Sequence, residues 1–153
     1  MPLLMAENWL VFRAGARLCA VPLASVVETM RPLPVEPLTG GPHAVAGLCM
    51  IRGAPVPVVN VAALFGDERA TAARLVTLSV AGRRVALAVD DLVGVRSFAA
   101  ADAAPLPPLL RDASTEAIAA IGALDGEFVL VLQAARLVPE AALDTPAAPE
   151  AAR

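Results

Sequence analysis

The sequence predicts an all-β protein, and three observations support that fold class. Apolar runs of strand length dominate the chain, glycine-containing turns join these runs in pairs, and four such pairs follow one another at fairly even spacing. Short strands separated by glycine turns are typical of β-sandwiches and barrels. Four consecutive hairpins therefore favour a closed or nearly closed β architecture.

Each pair of runs has the lengths and the turn of a β-hairpin. The predicted hairpins are Trp9–Arg13 with Leu18–Val21, Val45–Ile51 with Val56–Val59, Leu75–Val80 with Val85–Val89, and Ile118–Leu124 with Phe128–Leu132. The Asp125-Gly126 turn of the last pair is the strongest hairpin signal, because this dipeptide suits a tight two-residue turn. In the third pair, Val76, Leu78 and Val80 alternate with their neighbours, which predicts a half-buried strand.

Two prolines and two short helical segments qualify this pattern. Pro55 and Pro57 lie in the second hairpin, and because proline has no N–H to donate, they predict a strand edge or a bulge there. Helical stretches are predicted at Asn60–Phe65, which ends at Gly66, and at Gln133–Val138, which ends before a proline.

Two more strands and one irregular segment complete the chain. Strands are predicted at Val26–Met30 and Val93–Phe98, and the proline-rich segment Ala101–Ala113 is predicted to cross between lobes. The predicted organisation is a flexible N-terminus at residues 1–7, one domain of two lobes at residues 8–139, and a disordered Ala/Pro-rich tail at residues 140–153.

Composition and charge exclude one class of partner. The 153 residues suit one domain, or two small lobes that share cores, and 58% of them are hydrophobic, which leaves apolar side chains for interfaces. The formal net charge is −3, lysine is absent and aromatic residues make up only 3%. Nucleic-acid binding usually needs a cationic surface, often with stacking rings, so no nucleic-acid partner is expected.

The chain shows no sign of membrane insertion or secretion. Its longest uncharged runs are shorter than a membrane span and are broken by glycine and proline, and the first seven residues lack a basic region. A cytoplasmic location is therefore expected. In that reducing compartment Cys19 and Cys49, which both lie in apolar runs, are predicted to be buried thiols without a disulfide.

The chemistry-bearing residues do not form a catalytic pattern. The single histidine, His43, lies in a Gly/Pro-rich segment, and no Cys-x-x-Cys, phosphate-binding glycine motif or nucleophile elbow occurs. Adjacent strand residues point to opposite faces, so Asp90 and Asp91 do not chelate one ion together, and a role in a strand-end turn is the better interpretation. No enzyme activity, cofactor or metal site is predicted.

The order of the segments resembles the CheW-like domain family. The run Val45–Val61, with Ile51-Arg52-Gly53 followed by Pro57-Val58-Val59-Asn60, resembles the family signature of a strand, an x-Arg-Gly turn and a Val-Pro-Val-Val-Asp-Leu strand. Phe12–Pro22 resembles the opening hairpin, Val85–Val95 a Val-Asp-containing strand pair, and Ser114–Leu132 the closing hairpin. The resemblance covers about residues 8–138.

The resemblance implies both a fold and a function without catalysis. The implied fold is two packed, five-stranded, SH3-like β-barrel subdomains with short helices. The implied function is that of a chemotaxis adaptor, which couples the cytoplasmic tips of methyl-accepting chemoreceptors to the regulatory domain of a CheA-type histidine kinase. In this family a groove between the barrels receives the receptor's helical hairpin, and a barrel edge meets the kinase.

Five residues match receptor-facing positions of the family pattern. Val26, Leu75 and Val95 are predicted to supply apolar contacts to the receptor. Glu28 and Arg52 are predicted to fix the register through charge pairs at the rim, because a guanidinium binds a partner carboxylate in bidentate fashion. Gly53 is predicted to be a structural turn residue that adopts a conformation unfavourable for other residues.

Two departures from the family pattern leave alternatives open. Met50 replaces the asparagine before x-Arg-Gly, and Asn60 replaces the aspartate after Pro-Val-Val. They remove a polar group and a charge, and a divergent partner preference is one interpretation. They favour keeping one alternative, an adaptor in a pathway for pili, surface motility or biofilm formation. A separate alternative from another class is a small β-barrel enzyme or ligand carrier with a polar-lined cavity.

Overall fold

The structure is a computed structural model that describes residues 6–38, 44–67, 72–99, 104–105 and 118–133, and the protein is built almost wholly of β-strands. The strands are β1 (Ala6–Ala14), β2 (Arg17–Pro22), β3 (Val26–Met30), β4 (Val45–Ile51), β5 (Ala54–Asn60), β6 (Arg74–Val80), β7 (Arg83–Val89), β8 (Asp91–Ala99), β9 (Ala104–Pro105), β10 (Ile118–Leu124) and β11 (Glu127–Leu132). The predicted all-β class is confirmed.

The strands form two sheets. The first sheet has the order β8-β1-β2-β11-β10-β9, in which β9 contributes only two residues, and the second has the order β3-β6-β7-β5-β4. Most neighbours are antiparallel, but β2 pairs with β11 and β5 pairs with β7 in parallel. The two sheets fit the predicted pair of five-stranded, SH3-like subdomains.

The chain passes from one sheet to the other twice. A short 3-10 helix, Leu23–Ser25, leads from β2 into the second sheet, and Asp90 alone separates β7 from β8, which returns to the first sheet. The second sheet is therefore built from one continuous segment, whereas the first sheet combines strands from both ends of the chain.

All four predicted hairpins are present. In three of them both central turn residues have positive φ: Arg52-Gly53 (52° and 81°), Ala81-Gly82 (51° and 83°) and Asp125-Gly126 (53° and 81°). Turns of this kind match the right-handed twist of the flanking strands, which explains why two residues suffice to join them.

The two prolines of β5 lie in the part of the strand that does not pair with β7. β5 lies between β4 and β7, so the predicted edge position is wrong for the strand as a whole. However, β7 pairs only with Val58–Asn60, so Pro55 and Pro57 face no partner strand on that side. The hairpin does contain a bulge, but it lies in β4 between Val45 and Gly47, opposite Val58 and Val59 and not beside the prolines.

Three apolar clusters fill the interior. The largest joins the two sheets, with Phe12 and Val21 from the first packed among Val76, Leu78 and Leu87 from the second. A second cluster belongs to the second sheet alone and includes Cys49, Val58 and Leu75, and a third, around Trp9 and Val131, belongs to the first sheet alone. Each sheet therefore buries both of its faces over much of its length.

This arrangement corrects the expectation for β6. The alternation in Leu75–Val80 predicted a half-buried strand, but Leu75, Val76, Thr77 and Leu78 are all buried. Val76 and Leu78 point into the shared cluster, while Leu75 points into the second sheet's own cluster. Alternation reports which residues share a face, and it does not report whether the other face is covered.

The remaining predictions have mixed outcomes. The helical stretch Asn60–Phe65 is a 3-10 helix at Val61–Phe65 that ends at Gly66, and the predicted strands Val26–Met30 and Val93–Phe98 are present as β3 and within β8. β1 begins at Ala6, so the flexible N-terminus predicted for residues 1–7 is wrong for its last two residues. Residues 1–5, most of the segments 101–113 and 133–138, and the tail at 140–153 lie outside the described residues.

Candidate functional site

The turn between β4 and β5 presents Arg52 to solvent. Arg52 adopts a left-handed conformation that costs a residue with a side chain about 1–2 kcal/mol, and Gly53 follows it at a φ of 81°. A side chain at Gly53 would meet no atom within 4 Å, so glycine is favoured there by backbone conformation and not by space. The Arg52 side chain lies at the end of the sheet and is 73% exposed.

Arg52 forms a bidentate ion pair with Glu28. Its Nε donates to Oε2 of Glu28 at 2.9 Å, and its Nη2 donates to Oε1 at 2.7 Å. Glu28 lies on β3 and Arg52 follows β4, and these are the two edge strands of the second sheet. The ion pair therefore connects opposite edges of one sheet. Sequence analysis predicted charge pairs to a partner for both residues, whereas the structure pairs them with each other.

The pair shifts both ionisation equilibria towards the charged forms. The hydrogen bonds from Arg52 hold the pKa of Glu28 below its ordinary value, and the same contact raises the pKa of Arg52. The Glu28 side chain is 23% exposed, so the carboxylate is largely covered while the guanidinium remains open to solvent. A partner approaching this point meets positive charge first.

The same two edges are also joined by backbone. Glu36, in the segment after β3, forms an isolated bridge with Leu48 of β4: the N–H of Glu36 donates to the Leu48 carbonyl at 2.7 Å, and the N–H of Leu48 donates back at 2.9 Å. Gly47 is next to this bridge, and a Cβ there would overlap the Glu36 carbonyl. The glycine therefore permits the close approach of the two chain segments.

The three apolar residues that were predicted to contact the receptor differ in their exposure to solvent. Val26 is half-buried against the shared cluster and keeps part of its surface open. Val95 is 49% exposed on β8, the edge strand of the first sheet. Leu75 is only 1% exposed inside the second sheet's cluster, so its predicted contact with a receptor is wrong, because β6 is covered on both faces.

The two most exposed large apolar residues of the described chain were missed by sequence analysis. Met50 is 62% exposed on β4, opposite Pro55, and Phe128 is 75% exposed on β11, opposite Ala123. Met50 had a signal, since it replaces a polar residue two positions before Arg52. Phe128 had none, because it falls on the same face of the strand pattern as Leu130 and Leu132, which pack into the shared cluster.

The turn between β1 and β2 is held against the second sheet by polar contacts. Oδ2 of Asp90 accepts a hydrogen bond from the Gly15 N–H at 3.0 Å, and the Asp90 N–H donates to the Arg13 carbonyl at 2.8 Å. The Arg17 guanidinium lies 5.2 Å from the ring centre of Phe65. The predicted strand-end role of Asp90 is confirmed.

The two cysteine thiols, which are potential nucleophiles, are buried. Cys19 and Cys49 are free and buried, as predicted, and burial raises the pKa of Cys19 to about 12 and also raises that of Cys49. Thiols with such pKa values are poor nucleophiles near neutral pH. The described residues contain no cluster of three or more potential metal ligands, and His43 lies outside them.

Among the described residues, no helix has the length and apolar character needed to cross a bilayer.

Comparison with known proteins identifies the family and the fold. The sequence matches the CheW-like domain family over residues 8–142. It is 24% identical over 133 residues to the chemotaxis protein CheW of Rhizobium meliloti strain 1021, covering 85% of this chain and 86% of that protein. It is 30% identical over 113 residues to protein FrzA of Myxococcus xanthus, covering 72% and 70% of the two chains.

A solved structure has the same architecture. The crystal structure of the scaffolding protein TtCheW from Thermoanaerobacter tengcongensis superposes with a TM-score of 0.74, and the match covers 84% of this chain and 90% of that one. Sequence identity in that match is 20%, so the likeness concerns the fold.

Proposed function

Because this chain belongs to the CheW-like domain family, we propose that it is a chemotaxis adaptor that couples the cytoplasmic tips of methyl-accepting chemoreceptors to the regulatory domain of a CheA-type histidine kinase. The observation that carries the proposal is the family match over residues 8–142, which spans both sheets. A role in chemotaxis signalling complexes is common to the family, and the two partners are the specific part of the proposal.

The exposed surface supports a role in protein binding. Val26, Val95 and Arg52 combine apolar surface with an accessible guanidinium, and both kinds of group are favoured where a helix docks into a groove. Glu28 holds the guanidinium in one orientation, so Arg52 loses little side-chain freedom when a partner carboxylate binds. Arg52 and Val95 lie on different sheets, so a partner that touches both must bind across the two.

The adaptor works without catalysis in this proposal. The family is one of scaffolds and adaptors, and the two described thiols are buried with raised pKa values. A cytoplasmic location follows from the proposed partners, since both present their binding regions there.

Binding to the two partners tests the proposal directly. The full chain is titrated, by calorimetry, with the regulatory domain of a CheA-type kinase and with a soluble hairpin fragment of a chemoreceptor tip, both from the same organism. We expect dissociation constants on the order of 1–10 µM, typical of weak signalling contacts. Failure of both titrations at about 100 µM would contradict the proposal.

Two variants separate a direct role of Arg52 from its role in the ion pair. Arg52→Glu reverses the exposed charge and is expected to weaken receptor-tip binding about tenfold or more, with a modest fall in the melting temperature because it places a second carboxylate beside Glu28. The double variant Glu28→Arg/Arg52→Glu restores an ion pair of reversed polarity. If Arg52 itself contacts the receptor, the double variant stays weak; full recovery of binding would contradict a direct contact.

A further inference from the structure

An open cleft lies where the first sheet meets the 3-10 helix that leads to the second. It has a volume of about 520 Å³, and the described residues that line it are Glu7, Asn8, Pro22, Leu23 and Ala24. Glu7 and Asn8 belong to β1, and the other three residues end β2 and form the start of the 3-10 helix.

The cleft is next to both apolar residues proposed to contact a receptor. Asn8 pairs across the strands with Ser97, two residues beyond Val95 on β8, and Ala24 is two residues before Val26. Two residues of a strand span about 7 Å, so Val95 lies about that far along β8 from the residue that pairs with Asn8. The cleft therefore continues the proposed receptor surface.

The polar side chains of the cleft are open to solvent. Glu7 and Asn8 are exposed, and neither side chain has a hydrogen-bond or ion-pair partner among the described residues. Glu28, in contrast, is already neutralised by Arg52. Among the described residues that line the cleft, Glu7 supplies the carboxylate, and Asn8, the next residue of the strand, supplies a donor and an acceptor at another point of the lining.

We infer that this cleft is a specificity subsite for a basic side chain of the receptor-tip helix, with Glu7 as the charge partner of that side chain and Asn8 as a hydrogen-bond partner of a neighbouring polar group. The half-buried Leu23 provides an apolar contact for a neighbouring residue one turn along that helix. The inference rests on the proposed adaptor function, and it transfers to Glu7 the role of acidic contact that sequence analysis gave to Glu28.

The test compares charge variants for binding to the receptor-tip hairpin fragment at low and high ionic strength. Glu7→Gln is expected to raise the dissociation constant roughly two- to fivefold at low salt, and Glu7→Arg about tenfold, with smaller effects at high salt because exposed charge pairs are screened. Asp125→Asn is the matched control: it also removes one exposed negative charge, at a turn that asparagine tolerates, and it is expected to leave binding unchanged.

Each outcome has one interpretation. Binding of Glu7→Gln and Glu7→Arg with wild-type affinity, while the wild-type chain binds the tip, overturns the inference and leaves the adaptor function intact. Equal weakening by Glu7→Gln and Asp125→Asn also overturns it, because the effect is then one of net charge. If the wild-type chain binds neither tip nor kinase domain, the adaptor function fails and the inference fails with it.

Discussion

The two sheets each contain a bidentate arginine–glutamate pair, and the two pairs differ in what they connect. In the first sheet, Nη1 and Nη2 of Arg13 on β1 donate to Glu127 at the start of β11 at 2.8 and 2.9 Å. These strands lie on either side of β2, so the contact spans strands that the sheet already holds together. In the second sheet, Arg52 and Glu28 connect the two edge strands.

Exposure distinguishes the pairs further. The side chains of Arg13 and Glu127 are about equally accessible, at 40% and 42%, whereas Arg52 is 73% exposed and Glu28 only 23%. In the first pair the two side chains are about equally exposed, whereas in the second pair the guanidinium is much more exposed to solvent than the carboxylate. The same chemistry therefore serves as a brace in one sheet and as a supported binding group in the other.

The largest expected effect comes from breaking the join between the edges of the second sheet. Gly47→Ala places a Cβ against the Glu36 carbonyl and requires a φ of 151° from a residue with a side chain. We expect a loss of about 3 kcal/mol or more in the free energy of unfolding, because backbone must move and the bridge between Glu36 and Leu48 is disturbed. Urea denaturation measures the loss.

Gly126→Ala is the control for backbone conformation alone. Its φ is 81°, and a side chain there would meet nothing within 4 Å. It is expected to cost about 1 kcal/mol. Equal losses for the two variants would show that the contact with Glu36 has no energetic weight, and that the edges of the second sheet are not joined as described.

The second effect concerns partner binding and contrasts the two arginines. Arg13→Glu places two carboxylates together in the first sheet and is expected to lower the melting temperature while leaving receptor-tip affinity within about twofold of wild type, since its guanidinium is turned inward to Glu127. Arg52→Glu also places two carboxylates together and is expected to lower the melting temperature, but in addition it weakens receptor-tip binding about tenfold or more. Surface plasmon resonance and thermal melting of both variants give the comparison; a similar loss of affinity for each would abolish it.

A smaller effect measures the conformational cost that Arg52 bears. Ala81 has nearly the same left-handed φ as Arg52, in an exposed turn of the same sheet. Ala81→Asn is expected to increase the free energy of unfolding by about 0.5–1 kcal/mol, because asparagine tolerates this conformation better. Denaturation of wild type and variant at one pH measures the gain, and a loss of stability would show that Ala81 is not strained.

The smallest effect is the pH dependence of the two pairs. Each pair lowers the pKa of its carboxyl below the ordinary 4.5, so its stabilising effect is present above that value and is lost as the pH falls through the lowered pKa. The melting-temperature differences of Glu28→Gln and Glu127→Gln from wild type are expected to shrink together in acid. Added salt is expected to reduce the Glu127 difference more, since Glu127 is more exposed. A difference that grows in acid would contradict this sign.

Local signals predicted most of the fold and less of the site. The hairpins followed from turn residues such as Asp125-Gly126, whose conformation depends on neighbours in the chain. The parallel pairing of β2 with β11 joins distant segments and has no such signal. The burial of Leu75 depended on a second sheet covering its face, and the pairing of Arg52 with Glu28 depended on the meeting of two sheet edges. Local periodicity predicts neither of these contacts, because both join segments that are distant in the sequence.

The discontinuous first sheet has a consequence for synthesis on the ribosome. Residues 26–89 contain every strand of the second sheet, so that sheet has all of its pairing partners before the last third of the chain is made. β2, by contrast, lacks its parallel neighbour until β11 has emerged, and its apolar edge stays open in the meantime. In nascent chains halted before residue 127, the second sheet is therefore expected to resist protease, whereas the incomplete first sheet is expected to bind chaperones.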